Sequence, residues 1–535
     1  MKSRRGADFW LPLCLLGVFL SIVLFAPLAS LIGIPFDNGE RIATSKSSGV
    51  LFATTLTLSL STTLLATVLG VLAGIALFVL PARVRDLLFF ASMSALFVPS
   101  YVYAIAWIEI LGRHGELSTF LNKLHFPTLG LEQLFSLPGC ITLLSLVHYP
   151  IVMWLTLVAC TRIDAEKIDT ARTEGSMWAI ILHVLLPHSA PFVATGSLVV
   201  FLLSLTTYAL PSLFQVSTYS VEIFSMYNAF HDPYNGVLQT VPVIVMAFLA
   251  IAIWWAWAGR RLVDSAFLPL NHRFIAPSSF VSLLALLGVG SLLLIAIGLP
   301  VGTLIGRVSF PESLIEAFTV TRAEWQSSLL LATSATFVVL GMTSVGVFLL
   351  EGANRFLTLS LICASAIPYL ISGPAWGIGL VNFWNQEGWR GFVYDHSSIA
   401  LIACVGKYSF IGWIGFSIAI RGVRDEYLET ARVFGLSRWR QFVTVIMPAT
   451  KSHMAAIGGV VFLLVLGEVD SLLLVTPPGF VTLPVRMYGL IHYGPSELTA
   501  SMAVIIFFFV GSIGLLMAIF KGMFDYLNRR TASNR

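Results

Sequence analysis

Three ionisable side chains, Lys407, Glu468 and Asp470, stand inside long apolar runs of a 535-residue chain. A charge in such surroundings is costly, so it faces an opposite charge or a wet cavity. Pairing of Lys407 with Glu468 or Asp470 is therefore the first expectation. The second is that Glu468 and Asp470 line a path, where two carboxylates would suit a cation. His148 has no second ligand three or four residues away and reads as a packed polar residue, not a metal ligand. The cysteines Cys14, Cys140, Cys160, Cys363 and Cys404 have no paired metal-ligand spacing, so neither a metal site nor a disulfide framework is expected. The chain has no His-Glu-x-x-His run. Its Gly-Lys pair, Gly406-Lys407, lacks the upstream glycine of a nucleotide-binding loop. No catalytic constellation is expected, and no cofactor in this chain.

A second polar set sits between apolar runs, in "KIDTARTEGSMWAIILHVLLPHSA" (167–190) and "YLETARVFGLSRWRQFVTVIMPA" (427–449). Each reads as two short helices around a glycine. In the second, Gly435 suits the left-handed position after a helix end, and Ser437 can cap the next helix, expected to run to Pro448. Leu428, Ala431, Val433 and Phe434 form an apolar side, and Arg424, Arg432, Arg438 and Arg440 a charged one. Gly175, Ser176 and Pro187 play the same parts in the first. One such copy is matched by a basic surface helix that enforces topology and touches anionic lipid. Two copies with the same acid, small pair, glycine and proline point instead to a protruding corner, repeated for a two-fold or pseudo-two-fold partner.

The scaffold that must hold these residues is legible in composition. The chain is 57% hydrophobic and 11% charged, against about 25% charged for soluble domains. Apolar segments of membrane-crossing length recur at 10–32, 50–80, 88–111, 138–160, 190–212, 237–258, 277–306, 328–350, 357–380, 399–420, 452–476 and 498–520. Only helices satisfy the backbone over such runs, so the expected fold is an all-α polytopic membrane protein of about twelve spans. The basic N-terminus and its apolar run read as an uncleaved first span. Most of the 31 Lys and Arg residues fall on the side that carries both quoted stretches, which puts both termini in the cytoplasm. The composition leaves little room for a nucleic-acid-binding surface.

The chain also repeats. "DTAR" at 169–172 returns as "ETAR" at 429–432, "FVPSYVYAIAW" at 97–107 as "AIPYLISGPAW" at 366–376, and "HYPIVMW" at 148–154 as "KYSFIGW" at 407–413. Three matches in one order imply two parallel six-span units. Residues 1–258 hold the loop 161–190, residues 259–276 are a cytoplasmic linker, and residues 277–535 hold the loop 421–451. Pro99, Pro368 and Pro374 lie within spans, where proline permits a kink or a hinge.

At the two loops the sequence resembles the permease subunits of binding-protein-dependent ABC importers, whose cytoplasmic signature runs Glu-Ala-Ala, three residues, Gly, nine residues, Ile-x-Leu-Pro. The second copy matches it with Glu429, Thr430, Ala431 and Gly435, then Val445-Ile446-Met447-Pro448. The first matches with Asp169, Thr170, Ala171 and Gly175, then closes at Val184-Leu185-Leu186-Pro187, one residue early. The resemblance implies a type I ABC importer permease fold in a bacterial-type cytoplasmic (inner) membrane. It makes each loop a coupling helix seated on one of two copies of an ABC ATPase subunit, which binds ATP and Mg. It also implies a substrate-binding protein on the outer face. Residues 466–500 resemble fused ferric-iron importer permeases, through Leu466-Gly467-Glu468, Pro477-Pro478-Gly479 and Thr482-Leu483-x-Val485-Arg486-x-Tyr488. Permeases for thiamine, polyamines, sulfate and aminoethylphosphonate share the larger pattern. The rival class is a secondary transporter of the major-facilitator kind, also twelve spans in two halves, but "PARVRDLL" stands where its charged loop is expected.

Overall fold

The computed structural model describes residues 17–33, 48–112, 135–163, 177–259, 279–350, 355–423, 425–493 and 496–533, with Gly115, Thr119, Lys123, Thr170 and Arg261. Its principal helices before residue 259 are α1 (Gly17–Leu31), α2 (Ser48–Phe78), α3 (Ala82–Phe97), α4 (Ser100–Leu111), α5 (Leu137–Cys160), α6 (Ile181–Thr206) and α7 (Thr240–Trp254). After it come α8 (Ser279–Gly306), α9 (Arg322–Leu350), α10 (Arg355–Leu370), α11 (Gly373–Trp384) and α12 (Ser398–Arg421). The last three are α13 (Asp425–Val433), α14 (Arg438–Leu466) and α15 (Ser496–Ser533). Nine helices among the described residues are long and apolar enough to cross a membrane. Two bent pairs pass the same test together, α3 with α4 at 96° and α10 with α11 at 102°, and α1 is a shorter apolar helix.

Proline does not end the helices where the sequence reading expected a stop. The helix after Ser437 passes through Pro448 and continues to Leu466. Proline lacks an N–H, and its ring crowds the carbonyl four residues back. Here the preceding turn is widened to a π turn, Phe442–Ile446, in which the Met447 N–H reaches the Phe442 carbonyl. The device recurs before Pro27 (Ser21–Phe25), Pro187 (Ile181–Leu185) and Pro300 (Leu294–Gly298). Each π turn ends two residues before its proline. Such local adjustments re-satisfy backbone groups that have no water to turn to.

The two bent pairs break differently. In the first, Pro99 stands at the break itself and leaves the Ala95 carbonyl without its usual donor. The buried Tyr103 hydroxyl donates to that carbonyl at 3.2 Å, and its ring packs edge-on against Phe507 of α15. In the second, Pro368 lies inside α10 and makes no break. The chain turns at Ile371–Ser372, just before Gly373 and Pro374. Relative to the aligned Trp107 and Trp376, the second break falls about one helical turn later. Trp376 is fully buried and donates from Nε1 to the Ala403 carbonyl at 3.1 Å, which ties α11 to α12.

Helix contacts divide the chain into two compact units, neither of which is contiguous in sequence. One contains α1, residues 226–238 and α9 to α14. The other contains α2 to α6, α7, α8 and α15. Compactness thus follows a different partition from the sequence repeat, each unit drawing helices from both halves. In the first unit α1 closes on α11: Ser30 Oγ donates to the Gly379 carbonyl at 2.9 Å, and Asn382 Nδ2 donates to the Ser30 carbonyl at 2.8 Å. A Cβ on Gly379 would lie 2.8 Å from the Pro27 carbonyl oxygen, so only glycine allows this approach. In the second unit, Ala285, Val289 and Ala296 of α8 join the core formed by Ile75, Phe78, Tyr149 and Val152.

The repeat is visible inside each unit. The Tyr219 N–H donates to Thr55 Oγ1 at 3.1 Å, and the Leu483 N–H donates to Ser328 Oγ at 2.7 Å. Each contact follows a threonine, Thr218 or Thr482. The close helix crossing is also made twice with the small residue exchanged. Gly70 of α2 packs against Val152 and Met153 of α5, whereas Gly412 of α12 packs against Thr343 of α9. Small residues at such crossings let helices pack where lipid offers no hydrophobic drive. Tyr103→Phe should leave the Ala95 carbonyl with only the long 3.4 Å bond from the Val98 N–H and cost about 1 kcal/mol. Thermal unfolding of the purified protein checks this, with the exposed Tyr427→Phe expected to match the parent.

Candidate functional site

The expected intramembrane charges come together in the first unit. α12 presents Lys407 and Tyr408, and the turn that follows α14 presents Glu468 and Ser471. Lys407 Nζ donates to Glu468 Oε1 at 2.8 Å and to Oε2 at 2.9 Å. Tyr408 adds its hydroxyl to Oε2. Ser471 adds its N–H at 2.9 Å and its Oγ at 2.6 Å to Oε1. Lys407 is 7% exposed and Glu468 4%. A carboxylate offers about four lone-pair directions, and these donors occupy both oxygens. The Glu468 carboxylate therefore has no acceptor capacity left for a cation while this network is intact.

Asp470 is half-buried and stands two residues on, against the start of α11, where a Cβ on Gly373 would overlap it. Its charge acts on both Lys407 and Tyr369. Tyr369 packs against Tyr408 and Phe410, with ring centroids 6.1 and 4.8 Å apart. His148, the counterpart of Lys407, is half-buried, and its Nδ1 has no hydrogen-bond partner among the described residues. Among those residues no three His, Cys, Asp or Glu side chains cluster as metal ligands. Tyr408 and Ser471 were missed from sequence. The adjacency of Tyr408 to Lys407, and a serine three residues after Glu468, were the available signals.

The second loop is a sharply turned corner. α13 ends at Val433, and Gly435 takes φ +71°. The Leu436 N–H reaches back to the Ala431 carbonyl at 3.1 Å and the Gly435 N–H to the Arg432 carbonyl at 3.0 Å. This paired closure demands a left-handed residue, which is why glycine stands there. Ser437 then caps α14 by accepting from the Arg440 N–H at 3.4 Å. Gln441 braces the corner through the Leu436 carbonyl at 2.7 Å, and Phe442 stacks on Phe348 of α9.

The apolar residues of the corner do not share one side, as the sequence reading grouped them. Leu428 and Ala431 are buried, 5% and 4% exposed, while Val433 and Phe434 are 86% and 80% exposed. The reason is the turn itself: Leu428 and Ala431 lie on the inner face of α13, whereas the chain reverses at 434–435 and throws its tip outward. Glu429, Thr430, Arg432, Arg438, Trp439 and Arg440 are exposed around that tip, and Pro448 is exposed along α14. In the first loop Thr170 is helical and exposed, and Pro187 is exposed in α6. Asp169, Ala171 and Gly175 lie outside the described residues, as do Arg424 and nearly all of 259–276. From its π turn onward the first copy keeps step with the second, since Ile181–Leu185 precedes Pro187 as Phe442–Ile446 precedes Pro448. The residue that the first copy lacks therefore falls between Gly175 and Ile181.

A repeated helical bundle with an ion pair at depth and a turned corner between two long spans defines a polytopic transport permease. Residues 66–253 and 353–533 each match the family described as binding-protein-dependent transport system inner membrane component, and the chain belongs to that family. It is a fused permease of an ABC importer, with both copies of the domain in one polypeptide, which sets the major-facilitator alternative aside. It is similar to the Fe(3+)-transport system permease protein FbpB 2 of Haemophilus influenzae, 21% identical over 99% of each chain.

The ion pair sets a mutational expectation. Glu468→Gln removes the carboxylate that Lys407 grips, leaving the half-buried Asp470 as the nearby opposite charge, and should destabilise the protein by about 3–5 kcal/mol. Replacing both Lys407 and Glu468 by Met should cost far less, because no buried charge is then uncompensated. Thermal unfolding of the variants in one detergent or nanodisc preparation orders them.

Proposed function

We propose that this chain carries ferric iron across a bacterial-type cytoplasmic membrane, inward, in a complex with two ABC ATPase subunits and a substrate-binding protein on the outer face. The observation that supports the coupling role is the corner at 434–435. Two large apolar side chains, Val433 and Phe434, stand in solvent among Arg432, Arg438 and Arg440. Exposed aromatic anchors ringed by arginine fit a protein groove. The matching loop at 161–190 gives each ATPase copy one seat, through Asp169, Thr170, Ala171, Gly175 and Pro187 in the first and Glu429, Thr430, Ala431, Gly435 and Pro448 in the second. ATP and Mg are handled by those subunits, and closure of the pair rocks the permease between outward-open and inward-open states. Both termini and both loops lie in the cytoplasm, where membrane lipid meets the basic residues.

The iron assignment rests on the distant relative's cargo and on the run from Leu466 to Tyr488. Thiamine, polyamines, sulfate and aminoethylphosphonate are the alternatives within the same architecture. Uptake of radiolabelled ferric iron by cells lacking the chain, with and without its restoration under iron limitation, decides between them. Restored, ATP-dependent uptake is expected; absent uptake from a correctly inserted, assembled complex would remove iron and leave the architecture.

The coupling role has its own test. Gly435→Asn should keep uptake, because asparagine tolerates the left-handed conformation. Gly435→Arg should retain membrane insertion but lose ATPase association and uptake, with backbone strain of about 1–2 kcal/mol at the corner. Normal uptake by a normally expressed Gly435→Arg protein would refute the assignment.

A further inference from the structure

The buried pair joins the two helices that lead into and out of the second loop. α12 enters the corner at Arg421, and α14 leaves it at Arg438. Fourteen residues before the end of α12, Lys407 grips Glu468, two residues beyond the end of α14. With α13 at one end and the ion pair at the other, the two arms are closed into a loop of packed helices. Gly412 and Gly415 allow close packing along it, against Thr343 of α9 and Ile457 of α14. A push on the corner therefore reaches the turn 467–471 as a displacement of both arms together.

What that turn touches makes the closure consequential. α11 begins against it: a Cβ on Gly373 would overlap Asp470 and lie 3.1 Å from the Ser471 nitrogen, and one on Gly377 would lie 3.1 Å from the Leu474 Cβ. α11 is the second segment of the pair bent at 102°, so its first turn is where the crossing is already broken. Ser372 stands at that break, just before α11, fully buried and with no hydrogen-bond partner for its Oγ among the described residues. In the other half the corresponding side chains are His148 and Thr207. The pairing follows from the aligned "HYPIVMW" and "KYSFIGW" runs and from counting on from Pro187 and Pro448, which stand two residues after the matching π turns. No charge pair joins those two residues.

We propose that Lys407 and Glu468 are positioning residues, locking α12 and α14 into one lever that drives the broken segment α11 from the second loop, and that the first half has no such lock. The proposal rests on the reading of the second loop as the seat of an ATPase subunit. It makes the two halves mechanically unequal within one transport cycle.

The test uses the full chain assembled with its ATPase and binding-protein partners in proteoliposomes. The five native cysteines are replaced and one is placed at Ser372→Cys. Its rate of modification by a maleimide is measured without nucleotide and after trapping with ATP and vanadate, and ATP hydrolysis is read in parallel. With Lys407 and Glu468 in place, trapping should change the rate by about tenfold. The paired Lys407→Met and Glu468→Met variant should assemble and hydrolyse ATP, yet show no trapping-dependent change at position 372. The exchanged pair, Lys407→Glu with Glu468→Lys, should regain it in part. A neutral pair that responds like the parent would overturn the lever, because a merely structural pair predicts that result. His148→Leu with Thr207→Val should leave the response at position 372 and ATP hydrolysis unchanged, and loss of either would overturn the inequality of the halves. If the parent complex showed no response to trapping, the ATPase-seat reading itself would fail, which is a different outcome from loss confined to the neutral pair.

Discussion

Hydrocarbon supplies no hydrogen bonds, so every polar group that enters it must find a partner inside the protein. Several irregular features of this chain answer that demand. Each of four prolines follows a π turn that shifts the backbone bonds one residue before the ring arrives. Pro99 has no such turn, and there a tyrosine hydroxyl joins the Val98 N–H on the carbonyl that lacks its usual donor. The glutamate at 468 is surrounded by an ammonium, a phenol, a hydroxyl and an amide. The glutamate and the proline-bearing turns are held in this way, whereas the buried Ser372 Oγ and His148 Nδ1 have no hydrogen-bond partner among the described residues.

The same demand shapes the divergence between the halves. A repeat conserves geometry more readily than side chains, since a contact can be kept by exchanging which helix is small. Gly70 facing Met153 and Gly412 facing Thr343 are one crossing with the roles reversed. Thr55 and Ser328 accept from equivalent amides although their neighbours differ. Charge is less exchangeable. A lysine and a glutamate must appear together or not at all, and only the second half has both. His148 and Thr207 show the uncharged solution at the same place.

Much of this was readable from the residues. Long apolar runs announced the spans, the glycine and serine of the second loop announced its turn, and Lys407 with Glu468 announced each other by cost alone. The misreadings share a cause. Pro448 reads as a stop, yet a helix can pass through proline when an earlier turn widens, and widening leaves no mark in composition. Pro99 and Pro368 align in sequence, but only the first lies at a break, because the second is followed by Gly373-Pro374, a stronger place to turn. Leu428, Ala431, Val433 and Phe434 share a type, whereas the turn separates them by direction. Tyr408 and Ser471 carry no mark of their own, because hydroxyls in apolar runs are common and only the position of the Glu468 carboxylate gives them a role.

The interleaving of the two compact units also bears on how the protein is made. Synthesis runs from α1 to α15, but the unit that holds α2 also needs α8 and α15, and the unit that holds α1 also needs α9 to α14. Neither unit can be finished while the first half alone has left the ribosome. The early helices must wait in the bilayer, inserted but incompletely packed, until the final helix arrives. Severing the chain at its midpoint would then yield two fragments that each lack part of both units, so the fusion of the two halves fixes their order of assembly as well as their ratio.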